Sequence, residues 1–412
     1  MKGPIALGTI RTSFALGLRL LIQAGTLLLV ARMLGPDEFG AFAGIASLAV
    51  LLGALSAFGM NLVLLGEVSR EPSRRNEILP YAIPTTLLCG SVLLGFYLVV
   101  AYWVLPMSVV PWAAVLAIGV AELLLQPLFI LPANEHLALG RTARSQLLLN
   151  FPLGLRFLSA VVIVLVQFDQ PLLVYGYAYL FVSISSLFLA GATMQAPWPS
   201  IKMWRLPKPA ELKHSAGYAA LAVSAAGPSE LDKVIAVKLL PANESGLYAA
   251  ASRVVGAVTL PIFALMLSAL PRLFREGREN SKQTGRLIKW IFAATLGYTI
   301  LLAGVIWLVS PVFTFLFGDK YAGIEGLVKL LCIAIPGLGL RVVSGSILMT
   351  MNRPWIRFAL EVLGVVLLLT LALFAVPSLG SGGMILALAV SEWVMAFAGL
   401  FMISLQLRRR RS

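Results

Sequence analysis

The chain has 412 residues, of which 59% are hydrophobic and only 12% charged, with a mean hydropathy of +0.92. A soluble protein would carry about 25% charged residues, so the composition excludes a soluble enzyme or binding domain and predicts an all-α polytopic membrane protein. The net charge of +14 would suit a nucleic-acid partner, but its placement along the chain points to membrane orientation instead.

The first apolar run, Thr12 to Val30, is interrupted only by Arg19 and Gln23, and the second, Ala41 to Gly66, carries no charge. Each approaches the ~20 residues that cross a ~30 Å hydrocarbon core. Between them ARMLGPDEFG, residues 31–40, supplies a helix stop (Gly35, Pro36) and two acids (Asp37, Glu38) suited to the first turn of the next helix. No small-residue cleavage site precedes this turn, so the first run reads as a retained span. About twelve spans follow, near 8–30, 40–66, 78–103, 111–133, 146–168, 172–194, 213–240, 246–272, 287–309, 324–350, 356–376 and 382–405. Cys89 and Cys332 sit in separate apolar runs and suggest neither a disulfide nor a metal site. His136 and His214 read as solvated loop residues. Alternate connections hold 23 and 4 basic residues, which places both termini in the cytoplasm. The terminal RRRR reads as an orientation signal that contacts anionic lipids. The Pro- and Lys-rich stretch from Ala196 to Lys213 is the natural boundary between residues 1–200 and 201–412, six helices each.

The opening unit returns 206 residues later: VKLLPANESGLY (237–248) on ARMLGPDEFGAF (31–42) pairs Lys238 with Arg32, Glu244 with Glu38, Gly246 with Gly40 and Tyr248 with Phe42. Each hairpin closes in a basic segment, VSREPSRRNE or LFREGRENSK. An even number of spans per half gives a parallel repeat, with a pseudo-two-fold along the membrane normal.

Five basic residues fall within spans: Arg19, Arg156, Lys233, Arg253 and Arg341. Each costs about 2.5–3.5 kcal/mol at a helix centre, so such residues usually serve function or pair with acids. Glu230 and Lys233 stand at i,i+3; Arg156 and Glu361 fall in equivalent helices and are expected to pair between halves. Glu122 and Glu392 complete the acids considered for ion coupling. Arg19 has no acid near it in sequence. Gln23 keeps its face polar, and Arg11 lies about 80° round the same helix. Guanidinium groups suit phosphate or diphosphate, so Arg19, Arg253, Lys233, Arg11 and Gln23 are the candidate substrate ligands. Prolines at 84, 127, 152, 228, 261 and 336 mark kinks that conformational change could use. No catalytic triad, metal spacing or phosphate-binding Gly-rich loop stands out, so no cofactor is expected and the chain reads as a transporter rather than an enzyme.

ARMLGPDEFGAFAGIASLAVLLGALSAFGMNLVLLGEVSRE resembles the opening of the polysaccharide-biosynthesis flippases, the exporters of O-antigen and exopolysaccharide repeat units. LDKVIAVKLLPANESGLYAAASRVV, LPRLFREG and LFGDKYAG are similar to that family's seventh and eighth helices and its break after helix nine. The superfamily includes lipid II flippases and multidrug extruders, and the resemblance implies two lobes in a V around a central cavity. It implies transfer of an undecaprenyl-diphosphate-linked oligosaccharide across the bacterial inner membrane for lipopolysaccharide or exopolysaccharide synthesis. Membrane potential or an ion gradient would drive it. Implied partners are the lipid-linked oligosaccharide and the polymerase and chain-length proteins that use it. Lipid II flippases use arginines on their first and eighth helices: Arg253 falls on the second pattern, in YAAASRVV, and Arg19 within a residue or two of the first. Lys233 adjoins the usual acidic position, Asp232. The alternatives are a lipid II flippase, which usually has two further helices, a multidrug exporter, which would want acids in its cavity, and a membrane glycan polymerase, which would want a large polar loop.

Overall fold

The computed structural model describes residues 4–105, 110–194, 196–257, 261, 262, 266, 282–351 and 353–409, without the side chains of 4–16, 220–229, 282–284, 354, 408 and 409. The described residues form helices and no strands, as apolar segments must when lipid offers their backbone no hydrogen-bond partner. They divide into two compact units, Met1–Ala226 and Gly227–Ser412.

The N-terminal unit holds α1 (Pro4–Ser56), α2 (Met60–Arg70), α3 (Arg75–Val104), α4 (Trp112–Val120), α5 (Gln126–Ala138), α6 (Thr142–Val166) and α7 (Pro171–Thr193). The helix α8 (Pro209–Leu239) carries the boundary, and the C-terminal unit continues with α9 (Ala242–Ala257), α10 (Lys282–Phe317) and α11 (Ile324–Leu331). It ends with α12 (Ala334–Thr350), α13 (Pro354–Leu379) and α14 (Ser381–Arg409).

Eight helices are long and apolar enough to cross a membrane, or nine when α11 and α12, bent by 47°, count as one broken span. The chain is a multi-pass membrane protein. The difference from twelve has two sources. The first two expected spans are joined in α1, where Gly35 breaks the helix alone (φ 70°, ψ 172°). The seventh falls on α8, whose side chains 220–229 lie outside the description, and the eighth on α9, which ends at Ala257 where the description is interrupted. The segment expected as a polar turn is largely buried at Leu34, Phe39 and Gly40, with Asp37 exposed. The turn expected after the ninth span is present: α10 stops at Phe317 and Gly318 takes φ 90°.

Packing within the two units is alike at their last two helices, which pack on one another in each. In the first, α6 packs on α7, α4 on α7, and α2 on α5. In the second, α13 packs on α14, α12 on α14, and α9 on α11. Gln167 and Gly380, which end α6 and α13, both take left-handed φ, 56° and 55°. The likeness of the closing pairs, α6 with α7 and α13 with α14, agrees with the repeat seen in the sequence. The basic segment LFREGRENSK lies outside the described residues except Lys282.

The division at Ala226/Gly227 lies inside α8 rather than in the expected 200/201 linker, because the first half of α8 packs on the N-terminal unit. The break between α1 and α2 passes through Gly59 in the left-handed region (φ 73°), and a Cβ there would lie 2.4 Å from the Ser215 carbonyl oxygen. Only a glycine lets the two backbones meet so closely. The linker before α8 carries a clip: Arg205 Nη1 and Nη2 donate to the two Glu211 oxygens at 2.8 and 2.7 Å. Arg205 and these hydrogen bonds hold the Glu211 carboxyl below the usual carboxylate range. A lowered folded value means the clip contributes above the ordinary carboxylate range and is lost as pH falls through the lowered value. Amide exchange of residues 205–212 should therefore be slow relative to unstructured chain at pH 7, and this protection should weaken as pH falls below the ordinary carboxylate range.

A single π-helical turn, Ala121–Leu125, joins α4 to α5. Pro127 has no N–H to offer the Leu123 carbonyl, so the regular ladder cannot continue there and the turn widens. Gly90 of α3 closes on this turn: a Cβ would lie 2.4 Å from Leu123 O. Gly90→Ala should destabilise the protein by about 1–3 kcal/mol through overpacking against backbone. Gly95→Ala, on the same helix with nothing within 4 Å, should not, and thermal unfolding of both in detergent checks the difference.

Candidate functional site

Most charges inside the described helices close into clusters, each within one unit. The π-turn directs Glu122 toward α6 and α7. Arg156 Nη2 lies 3.2 Å from Glu122 Oε1 and its guanidinium sits 3.5 Å from the centre of the Tyr179 ring. The Tyr179 hydroxyl donates to the same carboxylate, and Ser183 Oγ lies 3.4 Å from Arg156 Nη2. Glu122 and Tyr179 are buried. One acid, one base and a stacked phenol make this cluster formally neutral.

In the C-terminal unit α12 brings Arg341 between α13 and α14. Its Nε donates to Glu392 Oε2 at 2.6 Å and its Nη1 to Glu361 Oε2 at 3.0 Å, and all three residues are buried. Arg357, on the first turn of α13, borders the same small recess, and its Nε is buried without a hydrogen bond. A further cluster of this unit centres on Asp232 of α8, which accepts from Lys233 Nζ at 3.0 Å, Tyr248 OH at 3.0 Å and Ser252 Oγ at 2.9 Å. Lys233 Nζ also lies 4.0 Å from Glu230. At the hairpin of the repeat, Glu244 Oε2 accepts from Ser381 N at 3.1 Å and so caps the start of α14.

Three expectations change. Arg156 and Glu361 do not pair with each other: each finds a nearer partner within its own unit, Glu122 and Arg341. Lys233 is buried with Asp232 as its principal partner, so its charge is already met. His136 is buried in the last turn of α5, where Nε2 lies 3.3 Å from Thr193 Oγ1, rather than in a solvated loop; α5 runs past the expected end of its span. His214 is exposed, as expected. Cys89 and Cys332 are free.

Arg19 and Arg253 remain. Arg19 is half-buried on α1, with half-buried Gln23 one turn on, and among the described residues it has no hydrogen-bond or ion-pair partner. Arg253 is half-buried on α9, and its Nε is buried without a hydrogen bond. Arg11 lies on α1, with its side chain outside the description. Among the described residues no group of His, Cys, Asp and Glu could hold a metal ion.

The family model described as "Polysaccharide biosynthesis protein" matches residues 5–276. The chain belongs to this family. Comparison with curated protein sequences gives no match. Among solved structures, a multidrug resistance MATE family transporter of the MOP superfamily in an inward-facing conformation is similar over 97% of this chain and 99% of that chain, with a TM-score of 0.76 and 12% identity. Its outward-facing form is similar over 98% and 95%, with a TM-score of 0.67 and 12% identity. A MOP superfamily transporter from Pyrococcus furiosus, described as having reverse polarity of its binding pocket, matches over 98% and 95% with a TM-score of 0.68 and 12% identity. These likenesses establish the fold, that of the two-lobed MOP transporters, within which this polysaccharide-biosynthesis protein places its charges.

Sequence reasoning missed Tyr179, Tyr248 and Ser252 as partners of buried acids. The available signal was a mid-span tyrosine, whose hydroxyl needs a partner when buried, in a chain with few acids to offer one.

Proposed function

We propose that this family member is a flippase for polyprenyl-diphosphate-linked oligosaccharides, with undecaprenyl as the lipid and Arg19 and Arg253 as the groups that take the diphosphate. One observation carries the reading. The intramembrane acids Glu122, Asp232, Glu361 and Glu392 each have a basic partner, whereas Arg19 and Arg253 have none among the described residues. A substrate entering such a protein meets uncompensated positive charge, which favours an anion, and guanidinium groups match diphosphate oxygens in geometry and charge. Gln23 adds a neutral donor, and Arg11 extends the basic character of α1. Lys233, the remaining candidate ligand, is engaged by Asp232.

The protein sits in the bacterial inner membrane with both termini in the cytoplasm, the basic tail meeting anionic lipids. It moves its cargo to the periplasmic leaflet by alternating access, where a polymerase and chain-length proteins of the surface-polysaccharide pathway receive it. An inside-negative potential favours outward transfer of an anion by about 2.3 kcal/mol per charge per 100 mV, so potential alone biases direction. Coupling to a proton or another ion would act through Glu122, Glu361 or Glu392, each of which must then be released by its arginine. The similar MATE structures raise multidrug export as the second reading, but a cationic drug needs an uncompensated acid, and the intramembrane acids Glu122, Asp232, Glu361 and Glu392 are paired.

Reconstitution tests the choice. Proteoliposomes should translocate a fluorescent polyprenyl-diphosphate oligosaccharide and leave a cationic dye where it is. Dye export without lipid translocation would overturn the assignment.

A further inference from the structure

We propose that Pro84 makes a docking point for the linker between the repeats, so that residues 196–211 form a strap fixed to the N-terminal unit rather than a free tether. In a helix the carbonyl of residue 80 accepts from the N–H of residue 84. Pro84 has none, so the Pro80 carbonyl is left open. The Arg205 N–H takes it, at 3.0 Å, from a linker residue outside any helix and far along the chain. The carbonyl that Pro84 leaves open thus has its partner on the linker.

The rest of the strap is built around this bond. Arg75, buried on the first turn of α3, donates to Ala196 O at 2.7 Å and Pro197 O at 3.3 Å while its Nε is held by buried Glu135 at 2.9 Å. Trp198 packs against Gly191, whose missing Cβ leaves room for the indole. Trp198 and Trp204 both lie on the core formed by α2, α3 and α5, and Trp204 Nε1 donates to Pro199 O. The Arg205 guanidinium stacks 4.6 Å from the Tyr81 ring before it reaches Glu211. Glu211 also accepts from the Lys208 N–H at 2.7 Å. Backbone, cation–π and ion-pair contacts therefore fix both ends of the strap to α3 and α8.

The test uses tryptic cleavage of the full-length protein in detergent, with fragments assigned by mass spectrometry. The strap carries a site at Arg205, and exposed Arg286 on α10 serves as an internal reference. Pro84→Ala restores an N–H that competes for the Pro80 carbonyl. One hydrogen bond's net worth predicts cleavage at Arg205, relative to Arg286, about 2- to 12-fold faster than wild type. Arg75→Gln should act in the same direction, while Gly95→Ala, elsewhere on α3, should leave the ratio unchanged. A wild-type ratio in both Pro84→Ala and Arg75→Gln would overturn the proposal, as would an equal rise in Gly95→Ala. Loosening of the whole protein raises both sites together, and cleavage at exposed Arg144, which must stay at its wild-type rate, separates release of the strap from loosening of the N-terminal unit.

Discussion

Arg341→Ala should lower stability by about 3–5 kcal/mol, the cost of leaving buried charges without their partner. The size follows from the geometry. One guanidinium serves two buried carboxylates, Glu392 at 2.6 Å and Glu361 at 3.0 Å, and alanine removes the only basic group that touches both. Arg156→Ala should cost less, because it strands a single carboxylate that still accepts from Tyr179. Replacing all three members together, Arg341→Met with Glu361→Gln and Glu392→Gln, should recover most of the loss, since the charge and its partners leave at once. Thermal unfolding in one detergent, with the four proteins compared side by side, checks the order. An Arg341→Ala protein that melts with wild type would mean the cluster is not a structural strut.

The second large effect has the opposite signature. Arg19→Ala and Arg253→Ala should each abolish or nearly abolish transport while leaving the melting temperature at or above that of wild type. Neither arginine has a described partner to strand, and an intramembrane arginine costs about 2.5–3.5 kcal/mol on insertion scales, so its removal relieves the fold. Each charge-assisted contact to a diphosphate is worth about 1.5–3 kcal/mol, which is roughly a ten- to hundredfold loss of affinity per arginine. Lysine keeps the charge but not the planar fork, so Arg253→Lys should retain part of the activity. A variant that loses stability and transport together would instead place the arginine among the structural pairs.

Much of this was legible in the chain. The apolar runs, the Gly35 break and the parallel repeat follow from composition and from short polar matches, because lipid leaves the backbone few alternatives to the helix. Which charges pair was not legible. Arg156 could reach Glu361 or Glu122 as far as sequence shows, and only helix depth and rotation decide for Glu122. Those depend on close approaches such as Gly90 on the π-turn, where the sequence shows a glycine and a proline but not their meeting. Prolines were ambiguous for the same reason. Pro127 widens a turn and Pro84 frees a carbonyl for the linker, yet both read alike as kinks. The linker itself looked like a tether because its partners, Arg75, Pro80 and Tyr81, lie far away in the chain.

The central claim is that uncompensated arginines select an anionic lipid-linked glycan. Its most direct test is complementation of a bacterial strain lacking its repeat-unit flippase, with wild type, Arg19→Ala and Arg253→Ala expressed at equal membrane levels. The account predicts surface polysaccharide with wild type and none with either variant. Surface polysaccharide restored by both alanine variants as fully as by wild type would contradict it.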